Sequence, residues 1–317
     1  MQMLVTGAAG FLGARLVRAL LASRGDVERI VAADVVACAV DDPRVDARVG
    51  SIADPGFVRT LVDPHVRLVF HLAAVLSGQS EAEFDTGLRI NVDATRALLE
   101  ACRAVGTAPR VVFSSSIAVF GGPLPDVVPD DMALRPQSSY GTAKAIAELL
   151  VADYGRRGFV DGVACRLPTV AVRPGAPNSA LSSFVSGIIR EPVAGIDTVC
   201  PVPLGTRIWI SSPDVVTRNL LHAGAMDTAT LDVRRSVNLP GISVTAGEML
   251  DSLERVAGQA ARLRVRCQPD ERLMRIVGTW PAAFDVSRAR QLGFVQDSGI
   301  DAIVQQYVAE WRGAPAS

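Results

Sequence analysis

Met3-Leu4-Val5-Thr6-Gly7-Ala8-Ala9-Gly10-Phe11-Leu12-Gly13, near the start of the 317-residue chain, points to one architecture more strongly than any other stretch. A short apolar strand runs into three glycines at every third position, and Leu16, Val17, Leu20 and Leu21 then recur at helical spacing. Strand, glycine loop and helix in that order form the context in which such a loop holds a dinucleotide. Gly7 would permit the tight turn, Gly10 the approach of backbone to pyrophosphate, and Gly13 close packing of helix on sheet. The free N–H groups at the helix start, around Phe11 and Leu12, would face the phosphates. The spacing is GxxGxxG rather than GxGxxG, a weak signal alone; the strand before it and the helix after it give it weight.

Working outward, Arg29 to Asp34 reads as a second strand ending in a carboxylate about 20 residues past the loop, where a ribose 2′-hydroxyl would sit. A carboxylate there repels a 2′-phosphate, which favours NAD over NADP. A third strand is expected over Val45 to Val49, with Ser51 and Ile52 after it passing the adenine. Leu68 to Ala74 reads as a fourth, buried strand, whose end at Leu72, Ala73 and Ala74 would border the cofactor; a long helix follows from Phe84 to Val105. Arg110 to Phe113 starts a fifth strand leading into Ser114, Ser115 and Ser116. Strands alternating with helices predict an α/β fold: a Rossmann-type, doubly wound parallel sheet with helices on both faces. Ligands in such sheets bind beyond the C-terminal strand ends, where Gly7, Asp34, His71 to Ala74 and Ser114 to Ser116 all fall.

Tyr140 and Lys144, four residues apart in Ser139-Tyr140-Gly141-Thr142-Ala143-Lys144, would share one face of a helix that Ser138 or Ser139 caps. A helix N-terminus and an adjacent ammonium both favour a phenolate, so Tyr140 is expected to ionise below its usual ~10 and to serve as a general base. Taken alone, the pair reads more readily as an exposed tyrosine and a solvated lysine on a surface helix.

The composition fits a compact globule: 49% hydrophobic and 21% charged residues, with a net charge of −1 that gives no electrostatic reason to expect nucleic-acid or membrane partners. No apolar run approaches the ~20 residues of a membrane span. The first residues enter a strand directly, without a signal-peptide pattern, so a cytoplasmic location is expected. Five scattered cysteines without a CxxC argue against a disulfide framework, and three dispersed histidines against a metal centre.

These stretches together resemble the extended short-chain dehydrogenase/reductase family, the NAD-dependent epimerase/dehydratase group. GAAGFLG at 7–13, HLAA at 71–74, NVDAT at 91–95, SSSIAVFG at 114–121, SYGTAK at 139–144, RLPTVAVRPG at 166–175 and FDVSRARQLGF at 284–294 occur in the family's order over nearly the whole chain. The resemblance implies Ser116 as hydrogen-bond partner of the reacting hydroxyl, Tyr140 as acid/base, Lys144 as ribose anchor, and Asn91 as support for the active-site helix and proton path. Similar dehydratases carry Thr-Asp-Glu at the catalytic turn; Ser116-Ile117-Ala118 here has no carboxylate, which argues against dehydration. Phe120 stands where a tyrosine is usual, and Ser51 where an acidic residue commonly contacts adenine.

An NAD-binding domain is expected over 1–165 and a substrate-binding lobe, interleaved with it, over 166–317. Leu167 and Thr169, past a sixth strand, should line the nicotinamide side. Ser179 to Ile189 reads as a small helix, Arg207 to Ile210 as a strand, and Thr245 with Glu248 as a capping box. Arg207 matches the position that binds substrate phosphate in similar nucleotide-sugar epimerases, and a guanidinium suits a carboxylate equally. Arg173 is a second candidate; Ser77 and Thr169 are candidate substrate hydrogen-bonders. The stretches 71–91, 115–125 and 173–195 look like the D-erythronate dehydrogenase subgroup, which oxidises the C2 hydroxyl of a four-carbon sugar acid with NAD. That resemblance implies a sugar-acid substrate. A nucleotide-sugar 4-epimerase and a non-catalytic NAD-binding sensor are the alternatives. The resemblance further implies a homodimer, its helices near 84–105 and 140–157 forming a four-helix bundle across a two-fold axis.

Overall fold

The computed structural model describes residues 1–23, 27–176, 180–231 and 233–313. The chain forms two compact units, each built from separated segments. Met1–Val119, Pro136–Leu167 and Thr217–Asn238 make the first; Phe120–Arg135, Pro168–Val216 and Leu239–Ser317 make the second.

The first unit is organised on a seven-stranded sheet whose pairings are all parallel. Its strands are β1 (Gln2–Thr6), β2 (Arg29–Asp34), β3 (Val45–Val49), β4 (Val66–His71), β5 (Arg110–Ser116), β6 (Asp161–Leu167) and the short Ser236–Asn238 strand. From one edge they run Ser236–Asn238, β6, β5, β4, β1, β2, β3. The order reverses between β4 and β1, and a crevice for ligand opens beyond the C-terminal ends at such a switch point. Helices on both faces of a sheet demand apolar side chains on both sides of each strand. Leu4, Val5, Ile30, Val69, Phe70 and Val112 are accordingly all fully buried. On one face these strands pack against Val58, Leu61, Leu98, Leu99, Cys102 and Val151. β3, at an edge, exposes its later residues and carries Asp46 and Arg48, charges of the kind that keep an edge strand from pairing with another chain.

The continuous helix expected from Phe84 to Val105 is divided. Phe84–Leu88 and Ala94–Val105 are α-helical, and Arg89–Asp93 between them is a π-turn. The buried Asn91 side chain explains the interruption. Its Oδ1 accepts the Val75 N–H at 2.9 Å, and its Nδ2 donates to the Val75 carbonyl at 3.1 Å and to Ser80 Oγ at 3.3 Å. Turning Asn91 inward to satisfy that strand-exit backbone takes one extra residue in the helix.

The second unit has a three-stranded sheet, in which Arg207–Ser211 lies between Ile242–Thr245 (antiparallel) and Thr169–Val170 (parallel), and a parallel pair of Thr198–Cys200 with Val265–Cys267. Its core gathers Val185, Ile188 and Ile189 of the Ser183–Val193 helix, Ile208 and Ile210, Met249, Leu250 and Leu253 of the Ala246–Ala257 helix, and Val304 of the Ile300–Gly313 helix. The expected helix at Ser179 to Ile189 is thus displaced to Ser183–Val193, and Ser179 lies outside the described residues. The capping box forms as expected: Thr245 Oγ1 accepts the Glu248 N–H at 3.1 Å and Glu248 returns to the Thr245 N–H at 2.7 Å. Among the described residues no helix is long and apolar enough to cross a membrane, and no group of three His, Cys, Asp or Glu is placed to hold a metal ion.

Candidate active site

The glycine loop joins β1 to the Phe11–Ala22 helix. The chain turns at Gly7, whose φ is +71°. A Cβ on Gly13 would lie 2.0 Å from the Gly7 carbonyl oxygen, so only glycine lets the helix rest on the turn. Gly10 stands at the helix N-cap without a side-chain cap, and Phe11 and Leu12 are the first two helical residues, so their N–H groups have no carbonyl within the helix to reach. Asp34, ending β2, folds its carboxylate over the loop: Oδ2 accepts the Ala9 N–H at 3.0 Å and Oδ1 the Val35 N–H at 2.7 Å. Ser51 is exposed and Ile52 buried just past β3. Past β4, Leu72 donates to the Thr6 carbonyl at 3.2 Å and Ala73 to the Thr6 hydroxyl at 3.3 Å, and Ala74 follows. Ser114 lies near the end of β5 and Leu167 ends β6. A narrow, side-chain-free cradle at a helix start, bordered by an acidic strand end, fits the pyrophosphate and ribose of a dinucleotide.

Ser116, Tyr140 and Lys144 lie beside this edge. The Ser139–Arg156 helix is capped by Ser138, whose Oγ accepts the Gly141 N–H at 3.0 Å, while Glu81 accepts the Ser139 N–H at 2.6 Å. Gly141 is a second position where space dictates the residue: a Cβ there would lie 2.1 Å from the Ala118 carbonyl oxygen. That contact brings the start of the helix against the turn after β5, and the Ser116 hydroxyl hydrogen-bonds the Tyr140 phenol. Ser116 Oγ also accepts the Ala118 N–H at 3.1 Å. Lys144, one turn beyond Tyr140, is 2% exposed; its ammonium donates to the Ser114 carbonyl at 2.7 Å and lies 4.7 Å from the Phe113 ring centre and 5.7 Å from that of Tyr140.

The electrostatics correct one expectation. Tyr140 is not lowered below its usual range in the protein alone; burial pushes it up to about 12, against the opposing hydrogen bond from Ser116. The sequence reading counted the helix terminus and the cation but not the desolvation of a phenolate, which is the larger effect. Burial also lowers Lys144 to about 7, with the Glu148 carboxylate opposing it. His71, at the end of β4, is pushed down to about 3 by burial and secondarily by Lys144, and so stays neutral. Its ring joins the Thr6 hydroxyl at 2.7 Å to the Thr95 hydroxyl at 2.9 Å, and Thr95 donates to the Asn91 carbonyl at 2.9 Å. The end of β1 is thereby tied to the π-turn. The sequence reading gave His71 no such role; a histidine closing a buried strand was the available signal.

Ser77 opens the Ser77–Ala82 helix of the first unit. Thr169, Arg173 and Arg207 belong to the second unit. Arg207 is exposed, and its Nη2 and Nε donate to Ser243 Oγ at 3.1 and 3.3 Å. Its charge also helps to hold the Glu248 carboxyl below its usual range, after the bonds from Thr245. Arg173 is half-buried, and burial first and the neighbouring Arg190 second disfavour its charge. Arg190 Nη1 donates to the Arg173 carbonyl at 3.0 Å and Nη2 to Glu191 at 2.6 Å.

A Rossmann sheet with a glycine cradle and a Ser–Tyr–Lys cluster at its C-terminal edge defines an NAD-dependent oxidoreductase of the short-chain class. Comparison with known proteins agrees and narrows it. The family model for the NAD dependent epimerase/dehydratase family matches residues 3–230, and the chain belongs to that family. It is 51% identical to the D-erythronate dehydrogenase of Cupriavidus necator, over 98% of each chain. It is 43% identical to the D-erythronate dehydrogenase of Haemophilus influenzae, over 97% of this chain and 99% of the relative. A crystal structure described as a nucleoside-diphosphate-sugar epimerase from Agrobacterium tumefaciens superposes with a TM-score of 0.94 at 43% identity, covering 99% of this chain and 95% of that one.

Proposed function

We propose that the protein oxidises the C2 hydroxyl of a small sugar acid, D-erythronate or a close relative, to the 2-keto acid with NAD. The observation that carries this reading is end-to-end similarity to two D-erythronate dehydrogenases in a chain that keeps Ser116, Tyr140 and Lys144 as one hydrogen-bonded and electrostatic cluster. Ser116 orients the hydroxyl, Tyr140 removes its proton as the C–H bond breaks, and Lys144 stabilises the resulting phenolate. NAD, when bound, supplies the hydride acceptor and a further positive charge that offsets the burial of that anion. Gly7, Gly10, Phe11, Leu12 and Gly13 would hold its phosphates and Asp34 the adenosine ribose. The Ser116-Ile117-Ala118 turn carries no acid for elimination, which supports plain dehydrogenation over dehydration. NADH formation with D-erythronate tests the reading directly.

The carboxylate requires a cation, and Arg173 and Arg207 are the two candidates. Burial and Arg190 disfavour the Arg173 charge, and Arg207 bonds Ser243 with Glu248 nearby; either guanidinium suits an incoming carboxylate. Replacing the true clamp by alanine should raise KM for the sugar acid by roughly 10–100-fold, with NAD affinity unchanged. Steady-state kinetics of R173A and R207A assign it; a KM that moves in neither variant removes both.

A nucleotide-sugar 4-epimerase is the second reading, favoured by the description of the Agrobacterium structure. Such an enzyme returns the hydride to its substrate and releases no net NADH. Association is the remaining part of the proposal. Leu149 and Ile146, three residues apart on the Tyr140 helix, are 66% and 37% exposed, an apolar strip suited to pairing with a second copy across a two-fold axis. Light scattering should give the mass of a dimer, and Leu149→Asp that of a monomer; a monomeric unaltered protein at working concentration would remove this part.

A further inference from the structure

Glu148 lies on the Ser139–Arg156 helix one turn beyond Lys144 and two beyond Tyr140, so the three side chains form one stripe. It is 5% exposed, and its carboxylate is held from two strands. The Ser115 hydroxyl of β5 donates to Oε1. Arg166 of β6 grips both oxygens, with Nε at 3.1 Å from each and Nη2 at 2.8 Å from Oε2, and its Nη1 continues to Asn238 Oδ1 at 3.2 Å. Ser115 stands between Ser114, whose carbonyl receives the Lys144 ammonium, and Ser116, which bonds Tyr140. The carboxylate is thus bound to the strand that carries the reacting serine and lies on the helix that carries the reacting tyrosine and lysine.

Stability alone is a poor account of this pair, because a buried ion pair replaced by apolar side chains of similar volume often costs nothing. We propose that Glu148 is a positioning residue for the dehydrogenation: its negative charge biases the proton toward Lys144 and away from Tyr140, and its bond to Ser115 fixes the strand end that presents Ser116. The proposal rests on Tyr140 acting as the base. A neutral phenol beside a neutral amine and a phenolate beside an ammonium hold the same number of protons, so the local field decides between them. Burial acts against the charged arrangement, raising Tyr140 and lowering Lys144, and the carboxylate opposes it at Lys144. The other groups facing the stripe do not take over that task. His71 of β4 is neutral, and Cys165 of β6 is held up to about 12 by burial and by Glu148 itself. Arg166 carries the opposite sign. Glu81 is engaged with the Ser139 N–H at the helix start and Glu100 with Tyr154 near its other end.

The test compares the wild type with E148Q in two measurements made with NAD bound. One is the pH dependence of kcat/KM. The other is the tyrosinate absorbance of Tyr140, isolated by subtracting the Y140F variant in a protein with only three tyrosines. In E148Q that bias toward Lys144 is lost, so the acid limb of the rate profile and the tyrosinate midpoint should both move up by about one pH unit, with about tenfold lower rate on the acid side. E148D should recover most of that displacement. A limb and a midpoint that stay in place while the melting temperature falls would make Glu148 structural only and overturn the proposal. If E148Q does not fold, the double variant E148Q/R166Q, which removes both members of the Glu148–Arg166 ion pair, takes its place with the same two outcomes. Should the wild type turn over no sugar acid, the proposed function fails, and the tyrosinate midpoint still decides the role of Glu148.

Discussion

Replacing Tyr140 by phenylalanine is expected to lower kcat by roughly 10³-fold while NAD binding survives. The substitution is nearly isosteric. It keeps the ring that Lys144 faces at 5.7 Å and removes only the hydroxyl that Ser116 bonds. Lys144 remains on the Ser114 carbonyl, and the glycine cradle is untouched. Loss confined to the chemical step is therefore the expected signature, read as a fall in kcat with an unchanged Kd for NAD by calorimetry. A variant within tenfold of the wild type would mean that another group takes the proton. Equal loss of NAD binding would mean that the residue is structural. The high pKa of the phenol in the protein alone also gives a sign for pH. The base form is deprotonated, so activity should rise with pH until Tyr140 is ionised; a rate that falls over that range would contradict the assignment.

Gly13→Ala should have the second large effect, on folding and on cofactor together. Its added methyl would lie 2.0 Å from the Gly7 carbonyl, a backbone atom that cannot swing aside, so helix and turn must separate. Overpacking of this kind costs about 3 kcal/mol. For a chain of this size the apparent melting temperature should fall by about 5 °C. The same displacement moves the helix N-terminus off the turn, so NAD affinity should drop by at least about tenfold as well. Gly205→Ala, where the new methyl meets nothing within 4 Å, is the matched control and should melt within about 1 °C of the wild type. A Gly13 variant as stable as that control would show that the loop tolerates a side chain and does not form this cradle.

What the sequence made legible was local. The glycine loop, the strands of the parallel sheet and the Tyr140–Lys144 stripe each follow from residues within a turn or two of one another, where periodicity and capping act directly. What it did not reveal depends on atoms distant in the chain. The π-turn at Asn91 arises because one amide reaches back 16 residues to the Val75 backbone. Gly141 looks permissive in sequence, and only the Ala118 carbonyl at 2.1 Å makes it obligatory. Glu148 is marked by no local pattern; Arg166 and Ser115 close on it from two strands. The direction of the Tyr140 shift failed for the same reason: charge and helix terminus are written in the sequence, whereas desolvation is a property of the packed interior. Phe120–Arg135 joining the second unit, and Thr217–Asn238 returning to the first, likewise have no signature in local pattern.

The measurement that bears most directly on the central claim is NADH formation with D-erythronate, a panel of other aldonates and a UDP-sugar. The account predicts steady NADH release with D-erythronate or a close sugar acid and none with the UDP-sugar. No turnover on any sugar acid, combined with interconversion of the UDP-sugar without net NADH, would contradict it and make the protein an epimerase.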